Sequence, residues 1–224
     1  MSRLYLVPTP IGNIKDITLR SLDILASVEL ILAENTRKTT HLLRHFKIDK
    51  EIQSYHKFNE HKKVHGLVRQ IKAGKSMALV TDAGTPSISD PGFLLVRTCL
   101  ENDIEIECLP GPSAFIPALV NSGLPSDRFC FEGFLPHRKG RTKRLASLAD
   151  ETRTIILYES PHRLIKTLEQ LSEYLGDNRS ASISRELTKI HEETVRGTIR
   201  ELISYYKDHT LKGEFVIIVG GLPS

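Results

Sequence analysis

The sequence predicts an α/β protein made of two α/β domains with a ligand cleft between them. Three observations carry that expectation. Short apolar runs alternate with helix-spaced segments along the first half of the chain. These runs are continuously apolar, as strands covered on both faces must be. Beyond a Gly-, Pro-, Ser- and Asn-containing stretch, "LVNSGLPSDRF" (Leu119 to Phe129), the pattern changes to one that includes a hairpin.

Each element can be justified in order. "RLYLV" is a buried strand that breaks at Pro8 and Pro10. "TLRSLDILASV" has helical spacing, with Leu19, Leu22, Leu25 and Ala26 on one face and Thr18 placed to cap it. "ELILAE" is the second strand, "TRKTTHLLRHF" the second helix and "EIQSYH" a short strand. From Glu60 to Ala73 the chain is helical again, with Val64, Leu67, Val68 and Ile71 inward and Gly74 as the stop. The strand "SMALVT", a helix over "FLLVRTCLEN" and the strand "IEIECL" follow. In the second half, "RFCFEGF" precedes a basic, helix-like run. "TIILYE" and a long helix from about His162 to Leu175 come next. "SASISREL" and "HEETVRG" are three residues apart, which predicts a hairpin and therefore a mixed sheet. A helix over "TIRELISYYKDH" leads to the terminal strand "GEFVIIVGG". The expected domains are residues 1–119 and 120–224.

Composition narrows the function classes. Of the 224 residues, 40% are hydrophobic and 26% charged, as in a globular protein rather than a disordered chain. The net charge of +4 permits a polyanionic partner without requiring one. Three cysteines, Cys99, Cys108 and Cys130, form no close pair, and Cys99 and Cys108 read as reduced core thiols. No zinc or iron–sulfur spacing is visible, so no metal is expected. The N-terminus lacks the pattern of a signal peptide and no run approaches eighteen apolar residues, so a cytoplasmic protein without membrane association is expected.

The candidate site lies in loops after strands. "TDAGTPSISDPG" follows an apolar strand, so Asp82 falls where open α/β sheets bind ligands, and Gly84 lets backbone approach closely. "PGPSAFIPAL" also leads from a strand into a helix, with Ser113 placed to cap it. "PTPIGN" is a third such loop. None fits a dinucleotide or phosphate-loop motif, so a small polar organic ligand is expected. The plain alternative is that Asp82 caps a turn and that Pro86 and Pro91 stiffen the loop.

Taken together, "YLVPTPIGNIKDITLRSL", "LILAENTR", "LVTDAGTPSISDPG", "PGPSA", "FEGFLP", "YESPHR", "SRELTKIHEE" and "GEFVIIV" resemble the ribosomal RNA small-subunit methyltransferase I family. The resemblance runs from Leu4 to Gly221. It implies the tetrapyrrole methylase fold, two α/β domains, usually homodimeric, with the cofactor in the cleft between them. The implied activity is S-adenosylmethionine-dependent methylation of a cytidine ribose 2′-hydroxyl in the decoding region of 16S rRNA, with the small ribosomal subunit as partner. The implied cofactor residues are Pro10, Gly12, Asp82, Ala83, Gly84, Thr85, Ser113, Ala114, Ser160, Leu187 and Gly213.

Asn13 can hydrogen-bond a ribose, and Glu34 with Arg37 can face the substrate; a helix cap and a solvated charge are their plain alternatives. His162 can open a helix or serve as a base. The run "HRKGRTKR" offers Arg138, Lys139, Arg141, Lys143 and Arg144 to RNA phosphates, or forms an exposed helix face. The chain departs from the family pattern at Asn35, where an aspartate is usual, and it stops soon after Gly221, where many relatives continue. Two other functions stay open: methylation of a small tetrapyrrole precursor on the same fold, and a non-catalytic, cofactor-dependent RNA-binding or assembly factor.

Overall fold

The computed structural model describes residues 3–222. The chain divides into two compact units, the first ending at Ser113 and the second beginning at Ala114.

The first unit is a five-stranded parallel sheet. Its strands are β1 (Arg3–Leu6), β2 (Leu30–Ala33), β3 (Ile52–Ser54), β4 (Met77–Val80) and β5 (Glu105–Cys108), in the order β3-β2-β4-β1-β5. Alternate residues of β2 and β4 enter different cores, as the two-residue pleat requires. Leu30, Leu32, Met77 and Leu79 pack with Val64, Leu67 and Ile71 of α3 (Glu60–Lys72) and Leu95 of α4 (Phe93–Leu100). Ile31, Ala33, Ala78 and Val80 pack with Leu25 of α1 (Leu19–Ser27) and Leu43 of α2 (Thr36–His45). Both faces are thus covered, which accounts for the unbroken apolar runs.

Thr18 caps α1 by accepting from the Ser21 N–H, as its sequence suggests. The inward stripe of α1 differs from the expected one. Ser21 and Leu25 are buried while Leu19 is 81% exposed, because the helix is rotated to seat Leu25 and the following Val28. Cys99 is buried, but Cys108 is exposed and is not a core thiol. It ends β5, the edge strand, whose Glu105 and Glu107 are held by Arg3 at 2.6 and 2.7 Å. Charged edges of this kind resist pairing with a further strand.

The second unit holds β6 (Phe129–Phe134), β7 (Thr154–Glu159), β8 (Ser180–Arg185), β9 (Glu193–Thr198) and β10 (Phe215–Val219), in the order β6-β7-β10-β8-β9. Only β6 and β7 are parallel, so the sheet is mixed, and β8 and β9 form the expected hairpin. Helices α6 (Arg141–Leu148), α7 (Leu164–Leu175) and α8 (Ile199–Lys207) supply Leu145, Leu168, Leu171 and Leu202 to a core with Ile155, Leu157, Ile183 and Ile217. The expected domain division after residue 119 falls inside α5 (Phe115–Ser122), and this helix packs on β8, β9 and β10. A capping box at Thr198 and Glu201 starts α8. Among the described residues no helix is long and apolar enough to cross a membrane.

Candidate functional site

In the first unit the carboxyl ends of β1, β2, β4 and β5 point the same way, because every strand is parallel, and their loops are stitched together. Thr9 and Gly84 exchange backbone hydrogen bonds, Thr9 N–H to Gly84 O at 3.0 Å and Gly84 N–H to Thr9 O at 2.9 Å. The Thr9 hydroxyl donates to Thr81 O at 3.0 Å, and the Thr85 hydroxyl donates to Pro112 O at 3.3 Å. Gly111 lies so close to Pro8 that a Cβ there would meet the proline ring at 2.6 Å. The three strand-end loops singled out in the sequence, the 8–13, 81–92 and 109–113 segments, thus form one platform.

Asp82 stands at the centre of this platform. Its backbone N–H donates to Glu34 Oε2 at 3.4 Å, and its Oδ2 lies 2.7 Å from Lys38 Nζ. Its other oxygen, Oδ1, is buried with no hydrogen-bond partner, as are the Thr81 and Ser87 hydroxyls. Buried polar atoms are nearly always satisfied, so three such orphans close together in sequence mark a place built to receive donors and acceptors from elsewhere. The loop is also strained: Ser87 and Ser89 take φ values of 72° and 63°. A carboxylate with a free buried oxygen suits an amine or hydroxyl.

The remaining first-unit residues are distributed around that centre. Glu34 is half-buried and leaves β2, while Arg37 is exposed on the first turn of α2. Asn35 caps α2, its Oδ1 accepting from the Arg37 and Lys38 N–H groups at 3.1 and 3.3 Å. An asparagine oxygen serves that purpose as well as an aspartate oxygen, so the departure from the family pattern leaves the local geometry intact. Asn13 and Gly12 are exposed and Pro10 is half-buried; Asn13 caps a short 3-10 turn, Ile14–Asp16, by accepting from Lys15 N–H at 3.1 Å. Ala83 lies half-buried between Asp82 and Gly84. The cap expected from Ser113 is not made. The helix starts one residue later, with Ala114 in the cap position and no side-chain hydrogen bond there.

In the second unit one end of the sheet gathers the other candidates. β10 begins at Phe215, which pairs with Glu159 at the end of β7 and Arg185 at the end of β8. Ser160, Leu187 and Gly213 therefore sit at the same sheet end. Glu186 links two of them. Its Oε1 accepts from Lys189 Nζ at 2.7 Å and Glu214 N–H at 3.0 Å, and a Cβ on Gly213 would fall 2.5 Å from its carboxylate. Burial pushes the Glu186 carboxyl up, but Lys189 and the Glu214 amide outweigh it and hold the group below the ordinary carboxylate value.

At the same end, the buried Glu159 accepts from Ser160 N–H at 2.8 Å and from the Thr167 hydroxyl at 2.6 Å. Arg163 lies 3.5 Å from it, and His162 is exposed before the helix. Arg141 corrects the reading of the basic run. Its side chain is 6% exposed and donates to Gln170 Oε1, Thr167 Oγ1 and Pro136 O at 2.7, 2.7 and 3.2 Å, so it braces the fold and cannot reach a phosphate. Burial, then repulsion by Arg163, lowers its pKa. Arg144 is exposed but bound to Glu132, which leaves Arg138, Lys139 and Lys143 as the exposed cations of the run without an ion pair among the described residues.

Glu186, which follows "ISR", reads in the sequence as a candidate or equally as a strand-edge charge, whereas Lys38, Glu159 and Lys189 escape notice there. Lys38 sits one helical turn after Glu34, a spacing that is a usable signal; Lys189 likewise lies three residues after Glu186, and Arg163 four residues after Glu159.

Comparison with known proteins bears on the family and the fold. The family model for Tetrapyrrole (Corrin/Porphyrin) Methylases matches residues 3–203. A ribosomal RNA small subunit methyltransferase I of Synechocystis sp. is 51% identical over 99% of this chain and 80% of its own length. One of Thermotoga maritima is 45% identical over 99% of both chains. Among solved structures, a uroporphyrin-III C-methyl transferase from Thermus thermophilus complexed with S-adenosyl homocysteine has a TM-score of 0.66 at 18% identity, covering 96% of both chains; it supports the fold.

Proposed function

The chain belongs to the ribosomal RNA small subunit methyltransferase I family of the tetrapyrrole methylases, and on that premise we propose that it methylates the ribose 2′-hydroxyl of one cytidine in the decoding region of 16S rRNA. The observation that carries the reading is its 51% identity, across nearly its whole length, to a protein of that name. The substrate is the small ribosomal subunit and the enzyme is a cytosolic homodimer.

S-adenosylmethionine supplies an electrophilic methyl group on a sulfonium that is its own leaving group. The buried, unpartnered Asp82 Oδ1 and the free Thr81 and Ser87 hydroxyls fit a cofactor that carries an amine and ribose hydroxyls. Pro10, Gly12, Asp82 to Thr85, Ser113, Ala114, Ser160, Leu187 and Gly213 would hold it. The protein's principal task is to align the acceptor oxygen with the methyl carbon. Asn13 and Arg37 position the nucleotide. Glu34, next to Asp82 through the backbone bond at 3.4 Å, takes the hydroxyl proton. Arg138, Lys139 and Lys143 neutralise phosphates and steer association without reading sequence.

The test is transfer of labelled methyl from S-adenosylmethionine to small subunits that lack the modification, followed by mapping. Labelling of one decoding-region cytidine at its 2′-oxygen is the expected result. Methylation of a porphyrinogen with none on subunits, or cofactor binding with no transfer at all, would overturn it.

A further inference from the structure

The end of β6 carries a β-bulge: Phe131 pairs with Ile156 and Gly133 with Leu157, leaving Glu132 as the extra residue. Gly133 takes a φ of 58° there. Bulges re-aim side chains. This one precedes Phe134, which is 54% exposed although it sits in a strand of an otherwise packed sheet.

Phe134 is not loose. Its ring lies 5.6 Å from Tyr158, which is 5.2 Å from Phe131, which is 4.9 Å from Phe115. This aromatic row supports the ring from one side and leaves the rest of its surface to solvent. The exposed part looks into a hollow of about 480 Å³ lined by Glu132, Phe134, Pro136, Gly140, Lys143 and Arg144. That volume falls within the range of roughly 300–1,000 Å³ for small-ligand clefts.

The charges of the hollow are asymmetric. Glu132 and Arg144 neutralise each other. Lys143 has no ion pair among the described residues, and the exposed Arg138 and Lys139 lie just before α6. A preformed aromatic surface beside unpaired cations matches two parts of one ligand, a π-face and a phosphate. Because the hollow is shallow and open, it suits a unit of a longer chain.

We propose that this hollow binds one unstacked nucleotide of single-stranded RNA, with the base on Phe134 and the phosphate on Lys143. The inference rests on the RNA reading above and adds to it a stacking site built from other residues than Asn13, Glu34 and Arg37. Duplex RNA keeps its bases stacked on each other, so the site favours loops and frayed ends. With Glu132 occupied by Arg144, stacking selects for an accessible base rather than for its identity.

The test uses the full chain and an eight-nucleotide single-stranded RNA carrying one 2-aminopurine, with a duplex of the same sequence as control. The parent quenches the fluorophore and prefers the single strand. Phe134→Ala weakens binding by about 5- to 100-fold and abolishes quenching, while Phe134→Trp retains both. Lys143→Glu, an exposed change, weakens binding and lowers the salt slope by about 0.7. S-adenosylmethionine affinity, unchanged in each variant, verifies folding. If the parent methylates subunits and binds the single strand while Phe134→Ala and Lys143→Glu both stay within twofold of it, the stacking site is wrong and the methylation reading survives. If the parent neither binds RNA nor methylates subunits, both fail.

Discussion

Lys38 Nζ lies 2.7 Å from Asp82 Oδ2, tying the first turn of α2 to the loop that leaves β4, while Asp82 Oδ1 stays buried and unpartnered. The pair divides the labour of one carboxylate. One oxygen is anchored and the other is held ready.

The free oxygen gives the first prediction. Asp82→Asn preserves shape but removes the charge, and a hydrogen bond to a charged group contributes about 1.5–3 kcal/mol. S-adenosylmethionine affinity should therefore fall by about 10- to 100-fold in calorimetric titration. Lys38→Ala should alter stability by less than about 1 kcal/mol, because its side chain is 63% exposed and such pairs are weak. Equal cofactor affinity in Asp82→Asn and the parent would reduce Asp82 to a loop anchor.

Glu34 is tested by a near-isosteric change. Glu34→Gln keeps an oxygen that can accept from the Asp82 N–H, so the platform and cofactor affinity should be retained. Turnover should drop by about 10²- to 10⁴-fold if the carboxylate takes the hydroxyl proton. Single-turnover methyl transfer under saturating cofactor measures this, and an unchanged rate removes Glu34 from the chemistry.

Arg141→Ala should destabilise the protein by about 2–4 kcal/mol in urea, since it removes a buried side chain and strips a charged partner from Thr167, Gln170 and the Pro136 carbonyl. Lys143→Ala, from the same run, should change stability by under about 0.5 kcal/mol. Similar costs for the two would contradict the division of the run into a brace and a contact surface.

That division shows where sequence reading ends. Periodicity identified the buried stripe of α3 residue by residue, since Val64, Leu67, Val68 and Ile71 recur at helical spacing. The Thr18 cap was equally legible because its partner is three residues away. The convergence of the 8–13, 81–92 and 109–113 loops followed from placing each after a parallel strand. Arg141 was misread because its partners, Thr167 and Gln170, are far along the chain, and a basic run looks the same whether its members face water or a neighbouring helix. Cys108 failed for a related reason: whether a strand lies at an edge is decided by sheet order. Glu186 could not be told from a strand-edge charge because its close approach to Gly213 joins residues far apart in sequence.

Acid stability should depend on Glu151. The Arg153 side chain and backbone N–H hold its carboxyl at about 2, against an ordinary 4.5. A depressed folded-state pKa contributes stability that is fully present above pH 4.5 and is lost progressively as the pH falls toward 2. Glu151→Gln should therefore be less stable than the parent at pH 6 and approach it at pH 2.5. Urea midpoints at the two values decide it, and a gap independent of pH would show that the ion pair is not the cause.

Gly213 and Gly74 together separate backbone strain from close approach. Both take positive φ, 91° and 109°, so alanine at either should cost roughly 1 kcal/mol or more. Their surroundings differ. Nothing lies within 4 Å of a Cβ on Gly74, whereas one on Gly213 would strike the Glu186 carboxylate at 2.5 Å. Gly213→Ala must push Glu186 away from Lys189 and from the Glu214 amide, and with it the adjoining Leu187. It should lower both thermal stability and S-adenosylmethionine affinity, while Gly74→Ala lowers stability alone. Matching cofactor affinities for the two variants and the parent would detach the 186–189 and 213–214 loops from cofactor binding.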